Sequence, residues 1–255
     1  SVSTTLQHLR EQGFATVVVS NSTLCAESRS AIARDSSLVI ERPNFGYDFG
    51  GYRDGVWILD QLNIRPKKLL FLNDSVWFPV HQNCHFLKEM TSAKGDYIGV
   101  QLAGNPATIG RRRGFFTSYC FLVAKPLLDS PYFKNFWRDY RLSSNKEVTL
   151  RRGERAFSHL MLDHARRVVA LYDQVRFDKL VSKLDDAELF KVIQGLVMVD
   201  PSLEDRCRTL MEAGRTNQRS KMIALIDDAT RTKNYIGAAP VFCLSRLSFP
   251  MIKKN

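Results

Sequence analysis

The segment RPNFGYDFGGYRDG, residues 42–55, follows the apolar run SLVIE and contains four glycines and two aspartates. Glycines let a backbone approach a ligand closely, and free backbone amides commonly hold phosphate groups. The carboxylate of Asp48 only accepts hydrogen bonds, so it favours a ligand with hydroxyl or base N–H donors. A sugar nucleotide offers such donors together with a diphosphate. We therefore predict a sugar-nucleotide site here, and the competing interpretation is a tight turn that only packs a helix against a sheet.

A second polar segment, NDSVWFP, directly follows the apolar run KKLLFL. The oxygen atoms of Asn73, Asp74 and Ser75 are hard ligands, which suit Mg²⁺ or Mn²⁺ bridging a diphosphate. A divalent cation bound by Asp74 is therefore the cofactor that we predict, and the single carboxylate leaves metal dependence open. The competing interpretation is that these residues only turn the chain where the strand ends.

Other catalytic motifs are absent from the sequence. The glycine segment is not in register with G-x-G-x-x-G, and no Walker lysine follows it. Ser118 lacks a G-x-S-x-G turn, and the pair His81 and His85 lacks the glutamate of H-E-x-x-H. These patterns exclude a dinucleotide-binding motif, an α/β-hydrolase nucleophile and a zinc-protease helix.

The elements that must position the two polar segments alternate over the first 125 residues. The runs ATVVVS (15–20), SLVIE (37–41) and KKLLFL (67–72) predict strands, and amphipathic segments of helical length separate them. This alternation predicts an α/β fold with a mostly parallel central sheet flanked by helices. Ligands of such sheets bind beyond the carboxyl ends of the strands. We therefore expect Asp48 and Asp74 to share one pocket.

The pattern changes near residue 127, after which helical periodicity dominates. We predict an α/β domain over 1–180 and a C-terminal helical appendage over 181–255. The chain opens on a helical pattern, whereas a doubly wound sheet normally opens on a strand. We therefore also expect a first strand upstream of residue 1.

The charge of the chain favours an anionic partner, since 37 lysines and arginines against 26 acidic residues give a net charge of +11. Aromatic residues lie in apolar runs rather than between basic residues, so we predict no nucleic-acid partner. The basic run GRRRG, 110–114, predicts either arginines that bind a diphosphate or a solvated loop. Five scattered cysteines without a C-x-x-C pair predict reduced thiols in a cytoplasmic protein.

The order SLVIERPNFGYDFGGYRDGVWIL and then KLLFLNDSVWFP resembles the rhamnan synthesis F proteins, glycosyltransferases of bacterial cell-wall and O-antigen rhamnan assembly. The family pattern falls on Asn44, Gly46, Asp48, Phe49, Gly50, Asn73, Asp74, Ser75 and Pro79. Looser matches are the strand around Ser118 and Tyr119, the helix at Glu154 and the closing FPMIKK. The resemblance implies the GT-A nucleotide-sugar transferase fold, with dTDP-rhamnose as a plausible donor. The segment YIGVQLAGNPATIGRRRG departs from the family pattern, which leaves the donor sugar and the acceptor open.

Two residues are our catalytic candidates. Glu154 follows the basic run LRRG and is the candidate base, and the competing interpretation is that it only stabilises a helix N-terminus. Asp74 would bind the metal or the diphosphate. The donor-binding candidates are Asn44, Gly46, Asp48, Gly50, Asn73, Ser75, Arg113 and Ser118.

The predicted function is transfer of a sugar from a nucleotide-diphosphate donor to a growing polysaccharide or a lipid-linked glycan. The alternative is a non-catalytic nucleotide- or sugar-binding module of a polysaccharide-assembly complex. The basic charge predicts peripheral contact with the anionic inner face of the membrane.

Overall fold

The structure is a computed structural model that describes residues 2–103, 114–214 and 218–254. The strands in this part of the chain are β1 Val17–Ser20, β2 Leu38–Glu41, β3 Lys68–Leu72, β4 Val76–Trp77, β5 Tyr97–Ala103, β6 Phe115–Phe116, β7 Cys120–Ala124, β8 Val168–Tyr172 and β9 Ile252–Lys253. The helices are α1 Val2–Glu11, α2 Ala26–Ala33, α3 Tyr47–Gln61, α4 Phe86–Ser92, α5 Lys125–Leu128, α6 Pro131–Asp139, α7 Lys146–Thr149, α8 Ala156–His164, α9 Gln174–Val181, α10 Asp186–Gln194, α11 Pro201–Ala213, α12 Arg219–Lys233, α13 Tyr235–Ala238 and α14 Pro240–Ser245. A π-helix, Leu150–Arg155, joins α7 to α8.

The predicted α/β class is confirmed, and the first three strands lie inside the predicted runs. β1 and β2 pair in parallel, with Val17 opposite Leu38. The second sheet has five strands in the order β3-β7-β5-β6, with β8 paired to β5. The upstream strand and the GT-A assignment stay predictions.

The prediction of a mostly parallel central sheet was wrong. β7 runs antiparallel to both β3 and β5, and β6 runs antiparallel to β5. All five residues of β7 are buried, and a strand buried on both faces shows the same apolar run in either direction. The apolar run therefore indicated burial and carried no information about strand direction. β3 and β5 still point the same way, because each is antiparallel to β7.

An aromatic core joins α3 to the five-stranded sheet. Phe49 of α3, Phe71 of β3 and Phe121 of β7 are at most 5% exposed. The rings of Phe71 and Phe121 stack with centroids 4.6 Å apart, and Phe49 stacks on Trp137 of α6 at 5.8 Å. Burial of each such ring contributes about 1.5–3 kcal/mol. This core holds the first turn of α3 against the end of β3, where the two polar segments lie.

The segment after β3 is paired with residues from the end of the chain. β4 and β9 run antiparallel, with Val76 opposite Lys253. The backbone N–H of Lys254 donates to the carbonyl oxygen of Ser75 at 2.8 Å. The residues next to Asp74 are therefore held by a strand that lies almost 180 residues further along the chain.

The chain divides into a first unit of residues 1–171 with 251–255 and a second unit of residues 172–250. The segment VVALY, which precedes the predicted boundary at 180, forms β8 and pairs with β5. The second unit contains α9 to α14, and α10 begins with a capping box between Asp185 and Glu188. The roles of catalytic domain and appendage stay predictions.

Cys25, Cys84, Cys120, Cys207 and Cys243 are free thiols. No helix in the described ranges is both long enough and apolar enough to cross a membrane.

Candidate functional site

Asn73 connects the two polar segments of the sequence. It directly follows β3, and its amide Nδ2 donates to Oδ2 of Asp48 at 2.7 Å. Its Oδ1 accepts from the backbone N–H of Ser75 at 3.1 Å and from the Ser75 hydroxyl at 2.6 Å. One side chain therefore shapes the turn after β3 and ties it to the start of α3. The two segments therefore touch, although β2 and β3 belong to separate sheets. The pocket that we expect Asp48 and Asp74 to share stays a prediction.

The glycine segment is mostly helix rather than loop. Gly46, with φ of 90°, precedes α3, which begins at Tyr47 and places Asp48 in its first turn. Each glycine in a helix costs about 1 kcal/mol relative to alanine. The buried core around α3 offsets this cost. The N–H of Gly50 donates to the carbonyl oxygen of Gly46 at 2.9 Å, so this amide serves the helix.

Arg42 fixes the turn that leads into α3. Its guanidinium donates to Oδ1 of Asn21 at 2.6 Å, to Oδ2 of Asp54 at 2.6 Å and to the carbonyl oxygen of Phe45 at 2.7 Å. The Arg42 side chain is only 8% exposed, and a charge-assisted contact of this kind is roughly twice as strong as a neutral hydrogen bond. The negative charge of Asp54, which would repel a phosphate, is therefore neutralised within the turn.

Glu154 reaches the same region from the π-helix, one of the features that often mark functional sites. Its Oε1 accepts from the backbone N–H of Ser118 at 2.7 Å, and the Tyr52 hydroxyl donates to the Ser118 carbonyl oxygen at 2.8 Å. A Cβ atom on Gly153 would lie 2.7 Å from Cγ of Phe49, so the glycine lets the π-helix approach α3 closely. Glu154 therefore lies within a helical segment that continues into α8, and not at a helix start.

Asp48, Asp74 and Glu154, which we call the acidic site, influence one another electrostatically. Burial raises the pKa of Asp48, and the negative charges of Asp74 and Glu154 raise it further. The hydrogen bond from Asn73 and the positive charge of Lys146 act in the opposite direction. The same three carboxylates add to the effect of burial in raising the pKa of the nearby Tyr52 phenol.

The residues of the acidic site do not fit a metal centre held by the protein alone. Within the described ranges, no group of three or more histidine, cysteine, aspartate or glutamate side chains is arranged to hold a metal ion. Oδ1 of Asn73 already accepts two hydrogen bonds, and Asp74 is an exposed single carboxylate.

Two predicted donor-binding residues stand apart from this arrangement. Asn44 is exposed, and none of the hydrogen bonds described above includes it. Arg113, like Arg111 and Arg112, lies outside the described residues. The other predicted residues lie at the start of α3 or in the segments tied to it. They are Gly46, Asp48, Gly50, Asn73, Asp74, Ser75, Ser118 and Glu154.

Sequence reasoning missed Asn21, Arg42, Tyr52 and Lys146. Asn21 directly follows β1, just as Asn73 directly follows β3. The expectation that ligands bind beyond the carboxyl ends of strands therefore also applies to Asn21. Its Nδ2 donates to the carbonyl oxygen of Tyr47 at 3.3 Å. Lys146 begins the short helix α7 and has no motif around it, so nothing in the sequence pointed to its place beside Asp48.

Comparison with known proteins identifies the family of this chain. The family described as "Rhamnan synthesis protein F" matches residues 16–199, which include the whole acidic site. The "Uncharacterized protein y4gN" of Sinorhizobium fredii (strain NBRC 101917 / NGR234) is 33% identical over 146 residues. That alignment covers 57% of this chain and 38% of the relative, and no solved structure matches. Since the family match spans well over half of the sequence, the chain belongs to the rhamnan synthesis protein F family.

Proposed function

We propose that this chain is a glycosyltransferase of rhamnan polysaccharide synthesis. It would transfer a sugar, which we propose to be rhamnose, from a nucleotide-diphosphate donor to a growing polysaccharide or a lipid-linked glycan. The observation that carries the proposal is the 2.7 Å hydrogen bond from Asn73 to Asp48, since it brings two strand-end segments together. Membership of the rhamnan synthesis protein F family supports a rhamnan polysaccharide as the class of product.

In this reaction an acceptor hydroxyl attacks the anomeric carbon while the bond between that carbon and the diphosphate breaks. Glu154 would take the proton from the hydroxyl, because a part-buried carboxylate close to Asp48 is a suitable general base. Asp48 would accept hydrogen bonds from donor hydroxyls, since one of its oxygens receives Asn73 and the group only accepts. The electron pair of the broken bond leaves with the diphosphate.

The diphosphate needs positive charge near the acidic site. Lys146 supplies one such charge, as its effect on Asp48 indicates. Arg113 stays a proposed second contact. A divalent cation bound by Asp74 and by the phosphates of the donor is the remaining proposal, and it is tested by adding Mn²⁺.

Replacing Asp74 by alanine is expected to reduce release of nucleotide diphosphate by at least about 100-fold, the scale of losing one electrostatic contact to the reacting groups. Purified protein is incubated with a panel of nucleotide sugars that includes dTDP-rhamnose, with and without Mn²⁺, and the released nucleotide is measured. Asp60→Ala is the matched control, because Asp60 is an exposed aspartate near the end of α3 that pairs with Arg65. The proposal fails if neither the wild type nor any variant releases nucleotide while the wild type still binds it. That outcome would establish the non-catalytic module instead.

Replacing Glu154 by glutamine is expected to lower kcat by about 10²–10⁴-fold and to leave the free energy of unfolding nearly unchanged. Glutamine removes the basic carboxylate but keeps an oxygen that accepts the N–H of Ser118. Glu154→Ala removes both, so it should also destabilise the protein by about 1–3 kcal/mol. If the glutamine variant turns over at the wild-type rate, Glu154 is not the general base and only positions the turn before β7.

A further inference from the structure

We propose that a basic cleft at the other end of β3 binds a phosphate group, and this proposal is independent of the function proposed above. The cleft has a volume of about 610 Å³ and is lined by the cations of Lys68, Lys94, Arg166 and Arg167. Among its lining residues only Asp96 is acidic. A concave surface lined by one sign of charge focuses the electric field and concentrates ligands of the opposite sign. The cleft is therefore suited to an anion.

The position of the cleft separates it from the acidic site. Lys68 is the first residue of β3, and Asn73 directly follows its last residue. Five residue steps along an extended chain span about 17 Å, so the two sites lie at opposite ends of β3. The acidic site presents carboxylates and the cleft presents cations. A diphosphate bound in the cleft would consequently not be the leaving group of the proposed transfer.

Backbone hydrogen bonds hold the segments of the cleft in place. The N–H of Asp96 donates to the carbonyl oxygen of Arg167 at 2.8 Å, and the N–H of Arg166 donates to Oδ2 of Asp96 at 3.0 Å. The ammonium group of Lys68 donates to the carbonyl oxygen of Thr91 in the last turn of α4. The carboxylate of Asp96 is thus engaged with the backbone. Arg166 and Arg167 are both exposed, so their guanidinium groups can receive a ligand from solvent.

The side chains of the cleft match the chemistry of phosphate. A guanidinium group binds two phosphate oxygens through parallel N–H donors, and an ammonium group adds a compact charge. Two arginines and two lysines from three segments of the first unit converge on the same concave surface. The phosphate could belong to a small molecule in solution or to the headgroup of an anionic lipid, since both present the same oxygens.

Pyrophosphate binding, measured by isothermal titration calorimetry, tests the cleft directly. The double variant Arg166→Glu with Arg167→Glu should raise the dissociation constant by at least about tenfold, because it removes charge-assisted contacts and adds repulsion. The control is Arg34→Glu with Lys134→Glu, which alters two exposed basic residues outside the cleft and changes net charge equally. It should bind nearly as the wild type does. Lys94→Glu, a single exposed change, repeats the test if the double variant does not fold.

A vesicle arm distinguishes the two sources of the phosphate. Sedimentation is compared for vesicles of phosphatidylcholine alone and for vesicles that also contain phosphatidylglycerol. Binding only to the anionic vesicles, lost in the cleft variant and kept in the control, identifies a lipid headgroup. Pyrophosphate binding without vesicle binding identifies a soluble ligand. The proposal is overturned if neither probe binds the wild type, or if the control variant loses binding as much as the cleft variant does.

Discussion

A Gly50→Ala variant is expected to unfold more easily than the wild type by about 1–3 kcal/mol, the usual cost of overpacking an interior. A Cβ atom at this position would lie 2.4 Å from the carbonyl oxygen of Phe45 and 2.8 Å from Nη1 of Arg42. The carbonyl belongs to the backbone, and the guanidinium is held by two further hydrogen-bond partners. Neither neighbour can move aside at low cost. The first turn of α3 must therefore shift, and Asp48 shifts with it.

Gly51→Ala provides the matched control for this prediction. The nearest atoms to a Cβ there are in the side chains of Val19 and Asn21, at 3.8 to 3.9 Å, which is ordinary contact. Alanine also favours a helix over glycine by up to about 1 kcal/mol, so this variant should be as stable as the wild type or more so. Urea unfolding measures both variants. Equal free energies of unfolding for the two would show that the turn at Phe45 adapts without cost.

Replacing Asp48 by asparagine is expected to abolish most activity without lowering stability. The side chain keeps its shape, and its carbonyl oxygen can still accept from Asn73. What disappears is a carboxylate that we assign to the donor sugar, so release of nucleotide diphosphate should fall by at least about 100-fold. The substitution also removes a negative charge that interacts unfavourably with those of Asp74 and Glu154.

The pH dependence of stability gives this prediction a second readout. The pKa of Asp48 is raised in the folded protein, chiefly by burial. Stability linked to this group is therefore complete below the ordinary pKa of an aspartate and is lost as the pH rises through the raised pKa. The asparagine variant has no such loss, so its free energy of unfolding should exceed that of the wild type near neutral pH. The two should converge under acidic conditions.

Urea titrations between about pH 4 and pH 7 measure this difference. Asp60→Asn is the control, because Asp60 is 76% exposed and pairs with Arg65 on the surface. An exposed ion pair of this kind contributes little to stability. The difference in free energy of unfolding between Asp60→Asn and the wild type should therefore not grow with pH as it does for Asp48→Asn. An Asp48→Asn variant that is clearly less stable than the wild type at every pH would contradict the electrostatic assignment.

The meeting of Asp48 and Asp74 could be predicted because it depends on strand ends alone. Each polar segment follows an apolar run, and ligands of α/β folds bind beyond the carboxyl ends of strands. The single parallel sheet assumed in this prediction was wrong, because β2 and β3 lie in separate sheets and β7 runs antiparallel to β3. The residue that joins the segments, Asn73, was named for its donor-binding chemistry. Its hydrogen bond to Asp48 needed coordinates.

Contacts between segments distant in the sequence could not be predicted. Nothing in the pattern around Arg42 indicates that it pairs with Asp54, because both residues are equally compatible with solvent exposure. The π-helix that carries Glu154 looks like an ordinary helical run, since one extra residue in a turn leaves no periodic mark over six residues. The basic cleft is assembled from three short segments, none of which is a motif.

The pairing of β4 with β9 has a consequence for the order in which the first unit is completed during synthesis. The ribosome releases the strand beside Asp74 early, but its hydrogen-bonded neighbour emerges only after all of residues 172–250 have been made. Domains generally fold as units in the order of their synthesis, and a partner this late leaves β4 unpaired until residues 252–253 have been made. Until then the turn that carries Asp74 lacks the hydrogen bond from Lys254 to Ser75. That turn therefore gains its last backbone partner only after the second unit has been synthesised.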